Sequence, residues 1–123
     1  MKCITKAFYL LLVIGALAGC AANPKIEDLS AEDQSKVSGV LIFKGQPETP
    51  FDVIGKVDGL SCHRNAYVPH DVSEAEATEG IKIRTVILGG NAAIHLTCES
   101  SGVDWANNCW SSMKCTADAV KLK

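Results

Sequence analysis

Hydrophobic and polar positions along the chain change their period several times, and each change predicts a different element. Val37–Phe43 is rich in β-branched residues and predicts a first strand. Phe51–Leu60 alternates apolar and polar positions, which predicts a second strand; its Gly55 and Gly59 indicate a bulge or a close backbone contact. Ala92–Cys98 predicts a third strand and Trp110–Val120 a fourth.

One main helix is predicted between the second and third strands. Ser73 and Glu76 form a capping box, and apolar positions recur at helical spacing after it. Gly80 weakens this helix by about 1 kcal/mol relative to alanine. The Gly89-Gly90 pair is a good stop signal, so we expect the helix to run to about Leu88.

The first nineteen residues read as a secretory signal. A short basic start is followed by the apolar run Ala7–Ala18, whose twelve helical residues would span only ~18 Å of a ~30 Å bilayer core. Leu17-Ala18-Gly19-Cys20 resembles the bacterial lipobox, which implies an acylated Cys20 as the mature N-terminus. Ala21 after that cysteine favours the periplasmic leaflet of the outer membrane, with surface exposure left open.

The polar segment that follows predicts a flexible tether over residues 20–36. Ser30 and Asp33 can cap one helical turn, but nothing apolar follows for a helix to bury. Such a tether has a root-mean-square reach of ~20–25 Å and an extended reach of ~55 Å. Residues 37–123 then form a single small α+β domain with a mainly antiparallel sheet of about four strands.

Cysteine usage fits an exported domain. With Cys3 in the signal and Cys20 in the lipobox, four cysteines remain, and disulfides are their expected state among three possible pairings. Cys98 ends a strand and Cys115 lies within the next, so an antiparallel return brings these two together. Cys62 is then left for Cys109, which gives two interleaved disulfides.

Composition and motif spacing argue against other functional classes. The formal net charge is −2, and −4 without residues 1–19, which disfavours nucleic acid as a partner. No Cys-x-x-Cys pair supports a metal or redox site, and no nucleophile elbow is present, so we expect neither an enzyme nor a cofactor beyond the covalent lipid. His63 and His70 are expected in a solvent-exposed loop, and His95 as a structural histidine. Trp105 and Trp110 are expected to pack over the Cys109 disulfide; together with Tyr67 they are also a possible partner surface.

Several runs resemble the RcsF family of outer-membrane lipoprotein sensors of the Rcs envelope-stress phosphorelay. The resemblance lies in Phe51–Cys62, in Gly90–Glu99, and in Cys109 and Cys115 followed by Thr-Ala-Asp-Ala. It implies a compact α+β domain with two interleaved disulfides. It also implies signalling by contact with outer-membrane β-barrels, their assembly machinery and an inner-membrane Rcs regulator.

The chain departs from that family in its N-terminal segment. Family members carry a long, proline-rich, basic linker, whereas residues 21–36 are acidic and contain only Pro24. The alternative hypothesis is therefore a structural or accessory envelope lipoprotein without a signalling role.

Overall fold

The computed structural model describes residues 23–65, 67 and 71–123. The predicted signal segment, the lipobox-like run with Cys20, and His70 lie outside these described residues. Within them the structure has a 3₁₀ turn, two helices and four strands. Their bounds are Ile26–Asp28 for the 3₁₀ turn, Ala31–Val37 for α1, Glu74–Ile87 for α2, Leu41–Ile42 for β1, Phe51–His63 for β2, Ala92–Ser101 for β3 and Ser111–Leu122 for β4.

The strands form one sheet in the order β1-β3-β4-β2. β4 lies between β2 and β3 and runs antiparallel to both, whereas β1 pairs with β3 in parallel. The predicted α+β class and mainly antiparallel sheet are therefore confirmed. β2 continues three residues beyond the predicted end at Leu60, so Cys62 and His63 belong to the strand.

Helix α2 begins and ends where the sequence predicts. The Ser73 hydroxyl accepts a hydrogen bond from the backbone N–H of Glu76, 3.2 Å away. In a capping box the Glu76 carboxylate would accept directly from the Ser73 N–H. Here the buried Ser61 hydroxyl connects the two groups, because it donates to the Glu76 carboxylate and accepts from the Ser73 N–H. The helix ends ahead of Gly89, whose φ of +86° is readily adopted by glycine.

The main core lies between α2 and one face of the sheet. Gly59 allows the helix to approach closely, because a Cβ atom there would lie 1.7 Å from the carbonyl oxygen of Ala77. This explains the predicted close backbone contact, and the register shift between Val53 and Gly55 confirms the predicted bulge. The cluster consists of Val57, Ala77, Ile81, Ala93, Cys115, Ala117 and Ala119.

A second apolar cluster covers part of the opposite sheet face. Ala92, Ile94 and Val120 are fully buried there, packed against Phe43, Phe51 and Leu122. The rest of that face, towards the middle of β4, carries polar side chains. The sheet is therefore covered by α2 on one side and only partly covered on the other.

Two predictions for the N-terminal region are wrong. Val37–Phe43 is not one strand, because Val37 ends α1 and packs with Val40 against Ile83 and Val86 of α2. Only the two residues of β1 remain for the sheet. The described part of the predicted tether is folded, since the 3₁₀ turn and α1 occupy it and Ser30 caps α1 through the Asp33 N–H.

Candidate functional surfaces

Both disulfides join the predicted partners. Cys98 and Cys115 are opposite each other in the β3–β4 register, with Cα atoms 4.0 Å apart. Cys62 near the end of β2 is bonded to Cys109 in the loop before β4, with Cα atoms 5.4 Å apart. The two bonds interleave in sequence, so they fix both neighbours of β4 to the segment that contains it.

The loop between β3 and β4 is held by a dense set of hydrogen bonds. The backbone groups of Asp104 and Cys109 exchange two bonds of 2.8 Å. The Asp104 carboxylate accepts from the side chain and the backbone N–H of Asn107, and these bonds lower the pKa of Asp104 below its ordinary value. The backbone N–H of Trp110 donates to the backbone carbonyl of His63 over 2.7 Å, which attaches the loop to the end of β2.

Large aromatic side chains project from this rigid loop and from the segment after β2. Trp105 is 83% exposed, Trp110 54% and Tyr67 96%. The prediction that the tryptophans pack over the disulfide is therefore wrong for Trp105, although both lie around the buried Cys109. We call Val103, Trp105 and Trp110, which line one depression beside Cys109, the aromatic surface.

The N-terminal segment is attached to the free edge of β2 by one side chain. The Asn23 amide donates to the Leu60 carbonyl over 2.6 Å and accepts from the Leu60 N–H over 2.9 Å. Gly80 provides the space, because a Cβ atom there would lie 2.6 Å from the Asn23 side-chain oxygen. We call this contact the Asn23 clasp. Local sequence patterns did not predict it, since its partners are 37 residues apart.

A polar groove of about 400 Å³ lies on the sheet face that α2 does not cover. Its main side chains are Lys56, Asp58, His95, Thr97, Lys114, Thr116 and Asp118. The Asp118 carboxylate lies 3.0 Å from Nδ1 of His95 and 3.3 Å from Nζ of Lys56. The hydrogen bond with His95, followed by that with Lys56, lowers the pKa of Asp118.

His95 occupies a bulge in β3 rather than a regular strand position. Its φ is +55°, and the β3–β4 register shifts between Ile94 and Thr97. The exposed ring is paired with Asp118, so the residue is satisfied as predicted, but at the groove and not in the core. His63 ends β2, where Nε2 of its ring lies 2.5 Å from the carbonyl oxygen of Asn65.

The described residues contain neither a cluster of metal ligands nor a membrane-spanning helix. Across residues 23–65, 67 and 71–123, no three His, Cys, Asp or Glu side chains are grouped so that they could hold a metal ion. Over the same described part of the chain, no helix has the length and apolar character needed to span a bilayer.

The fold is that of a small disulfide-linked α+β domain, and known proteins were compared with it by sequence and by structure. No protein-family model and no curated protein sequence matches the chain. A solved structure from Pediococcus pentosaceus, a protein of unknown function in the DUF74 family, is similar with a TM-score of 0.52 and 15% identity. The match covers 69% of this chain and 99% of that one, and it concerns the fold alone.

Proposed function

We propose that this protein is a lipid-anchored envelope lipoprotein that signals through protein contact, as an RcsF-type sensor of envelope stress. The observation that carries the proposal is the pair of interleaved disulfides within a small α+β domain, where β2 and β3 are each bonded to the segment containing β4. The runs that resemble the RcsF family surround these same cysteines. The proposal includes no catalytic step and no cofactor other than the lipid on Cys20.

The cysteine chemistry supports an extracytoplasmic site of action. All four cysteines of the described domain are paired, and such bonds persist in oxidising compartments such as the periplasm. The lipobox-like Leu17–Cys20 supports anchoring in the outer membrane with the domain facing the periplasm. More than one acyl chain on Cys20 makes such anchoring stable.

The polar groove is the protein-contact surface that we propose. The groove offers fixed charges of both signs, because Lys56 and Asp118 are paired there and Lys114 lies 3.4 Å from Asp58. Charges of both signs on one surface can match a protein partner whose charges are arranged in the complementary pattern. Candidate partners are outer-membrane barrels, their assembly machinery and an inner-membrane Rcs regulator.

The Asn23 clasp favours a second candidate, a structural or accessory lipoprotein bound to an outer-membrane complex without signalling. With Asn23 fixed to Leu60, only Ala21 and Ala22 separate the clasp from Cys20. Three residue steps span at most about 10 Å, far less than the ~55 Å of an extended 16-residue tether. A partner in the anchoring membrane is therefore within reach, whereas the inner membrane requires the clasp to open.

A stress-reporter experiment in the native host separates the two candidates. Deletion of the gene should change an envelope-stress reporter, and the intact gene should restore it. Cys20→Ala should mislocalise the domain and change basal signalling. An unchanged reporter, with the protein co-purifying stably with an outer-membrane complex, would establish the accessory role instead.

Site-specific crosslinking tests the groove. A photo-crosslinker at the exposed Thr116, in the groove, should capture a protein partner in cells, whereas one at the exposed Ala75, on α2 at the other face of the sheet, serves as the control. Equal capture at both positions would argue against the groove as the contact surface.

A further inference from the structure

The aromatic surface and the attachment of the N-terminal segment lie at the same end of β2. Asn23 binds Leu60, and three residues further along the strand His63 accepts the bond from Trp110. Three strand residues rise roughly 10 Å, so the two attachment points are near neighbours. Cys62 lies between them and is bonded to the loop that carries both tryptophans.

The exposure of these aromatic side chains is built into the fold. The Asp104–Cys109 bridge and the Cys62 disulfide hold the loop, so Trp105 projects from a fixed backbone. Tryptophan and tyrosine combine a large apolar body with one polar group, which favours the boundary between lipid headgroups and acyl chains. A rigid loop with two such side chains is suited to that boundary.

The length of chain before Asn23 places a membrane at this end of the molecule. This step rests on the proposed lipid at Cys20. Cys20 and Asn23 are three residue steps apart, so the acyl chains begin at most about 10 Å from the clasp. Lys25 and Arg64 line a depression beside Asn23 and Cys62, together with one carboxylate, that of Glu76, whose side chain accepts a hydrogen bond from Ser61. The two basic side chains suit lipid phosphates.

We infer that the aromatic surface is a membrane-contact surface, with Trp105 and Trp110 seated among the headgroups of the leaflet that holds the lipid anchor. Lys25 and Arg64 meet the phosphates beside them. The lipid and the aromatic surface then attach the domain at two points and limit its rotation.

The chain contains two tryptophans, so intrinsic fluorescence reports on this surface directly. The full lipidated protein would be reconstituted in vesicles of phosphatidylethanolamine and phosphatidylglycerol. We expect blue-shifted emission, protection from aqueous iodide, and strong quenching by lipids brominated at the headgroup end of the acyl chains. Trp105→Phe and Trp110→Phe variants assign the signal to each side chain.

A longer linker tests whether the aromatic surface itself binds lipid or is only held near the membrane by the anchor. A flexible Gly/Ser insertion between Ala22 and Asn23 should leave the quenching largely intact if the surface binds lipid. Loss of quenching in that variant, or free access of iodide to both tryptophans in the parent protein, would overturn the inference. Protection in native membranes but not in pure lipid vesicles would also overturn it, since the surface would then bind a protein.

The fluorescence experiment and the reporter experiment test the two proposals separately, so one proposal can be refuted while the other stands. Mass spectrometry of the N-terminal peptide first establishes whether Cys20 is acylated. Exposed tryptophans in an acylated, reporter-active protein would refute the membrane contact alone. Quenched tryptophans with an unresponsive reporter would leave the membrane contact in place and refute the signalling role.

Discussion

The effect of Gly80→Ala should change sign depending on whether Asn23 is present. In an ordinary helix this substitution stabilises by about 1 kcal/mol, because glycine is the poorer helix former. Here the new Cβ atom would lie 2.6 to 3.0 Å from three side-chain atoms of Asn23. Asn23 must therefore move, and it cannot move without breaking its two bonds to Leu60.

The magnitude follows from those two hydrogen bonds. Each contributes about 0.5–1.5 kcal/mol, so losing the clasp costs about 1–3 kcal/mol. The gain in helix propensity offsets about 1 kcal/mol of this loss. Gly80→Ala should therefore lower the free energy of unfolding by about 0–2 kcal/mol in the parent chain. In an Asn23→Ala background the clasp is already lost, and Gly80→Ala should stabilise by about 1 kcal/mol.

Chemical denaturation of the four chains of this double-mutant cycle provides the measurement. A Cys20→Ser background without residues 1–19 removes the proposed lipid anchor, and far-UV circular dichroism follows unfolding. Tryptophan emission is the weaker probe, since Trp105 is mostly exposed in the folded state as well. Thr78→Ala, two positions earlier in the same helix, is the control and should have equal effects in both backgrounds.

Equal stabilisation by Gly80→Ala in both backgrounds would refute the reasoning. It would mean that the Asn23 side chain is not held against Leu60 in solution. The segment before α1 would then be free to act as a tether, and the reach from Cys20 would increase accordingly.

Three further changes probe other parts of the fold. Gly59→Ala should destabilise the protein by about 3 kcal/mol or more, measured by denaturation, because its Cβ atom would overlap the Ala77 carbonyl. Ser61→Ala should cost about 1–3 kcal/mol in the same assay, since the buried hydroxyl makes two hydrogen bonds, with Glu76 and Ser73, and both are lost. His95→Gly, which retains the left-handed backbone, should raise the pKa of Asp118 in an NMR titration. The pKa of Asp118 is lower in the folded protein than in the unfolded chain, where it is about 3.9, so the ionised carboxylate stabilises the fold above that pH. This stabilisation is lost as pH falls through the folded pKa. In the variant the folded pKa is higher, so the stabilisation should be lost at a higher pH. An unshifted Asp118 titration would contradict the assigned role of His95.

Local signals predicted most of the framework. The cap at Ser73 and the stop at Gly89 located α2 to within a residue, because both depend on neighbours in sequence. The cysteine pairing followed from where strands end, since antiparallel neighbours bring Cys98 opposite Cys115. The bulge near Gly55 was likewise signalled by its glycine.

Features that depend on distant partners were not predicted. Helix α1 is short and its isolated sequence is marginal, so its burial of Val37 against α2 has no local signature. The Asn23 clasp joins a side chain to a backbone 37 residues away. The exposure of Trp105 was missed for a related reason: proximity to Cys109 indicated burial, whereas the turn from Asp104 to Cys109 directs the ring to solvent.

The position of β4 in the chain determines when the sheet can fold and when the native disulfides can form. β4 is the last of the four strands to be synthesised and to enter any export channel, yet it is the only pairing partner of β2 in the described sheet. Until residues 111–122 arrive, β2 and most of β3 have unpaired edges. Until Cys109 arrives, Cys62 and Cys98 are the only two of the four paired cysteines present, so they can bond only to each other. Folding must therefore wait for nearly the whole chain, and oxidation that runs ahead of it would join the wrong cysteines.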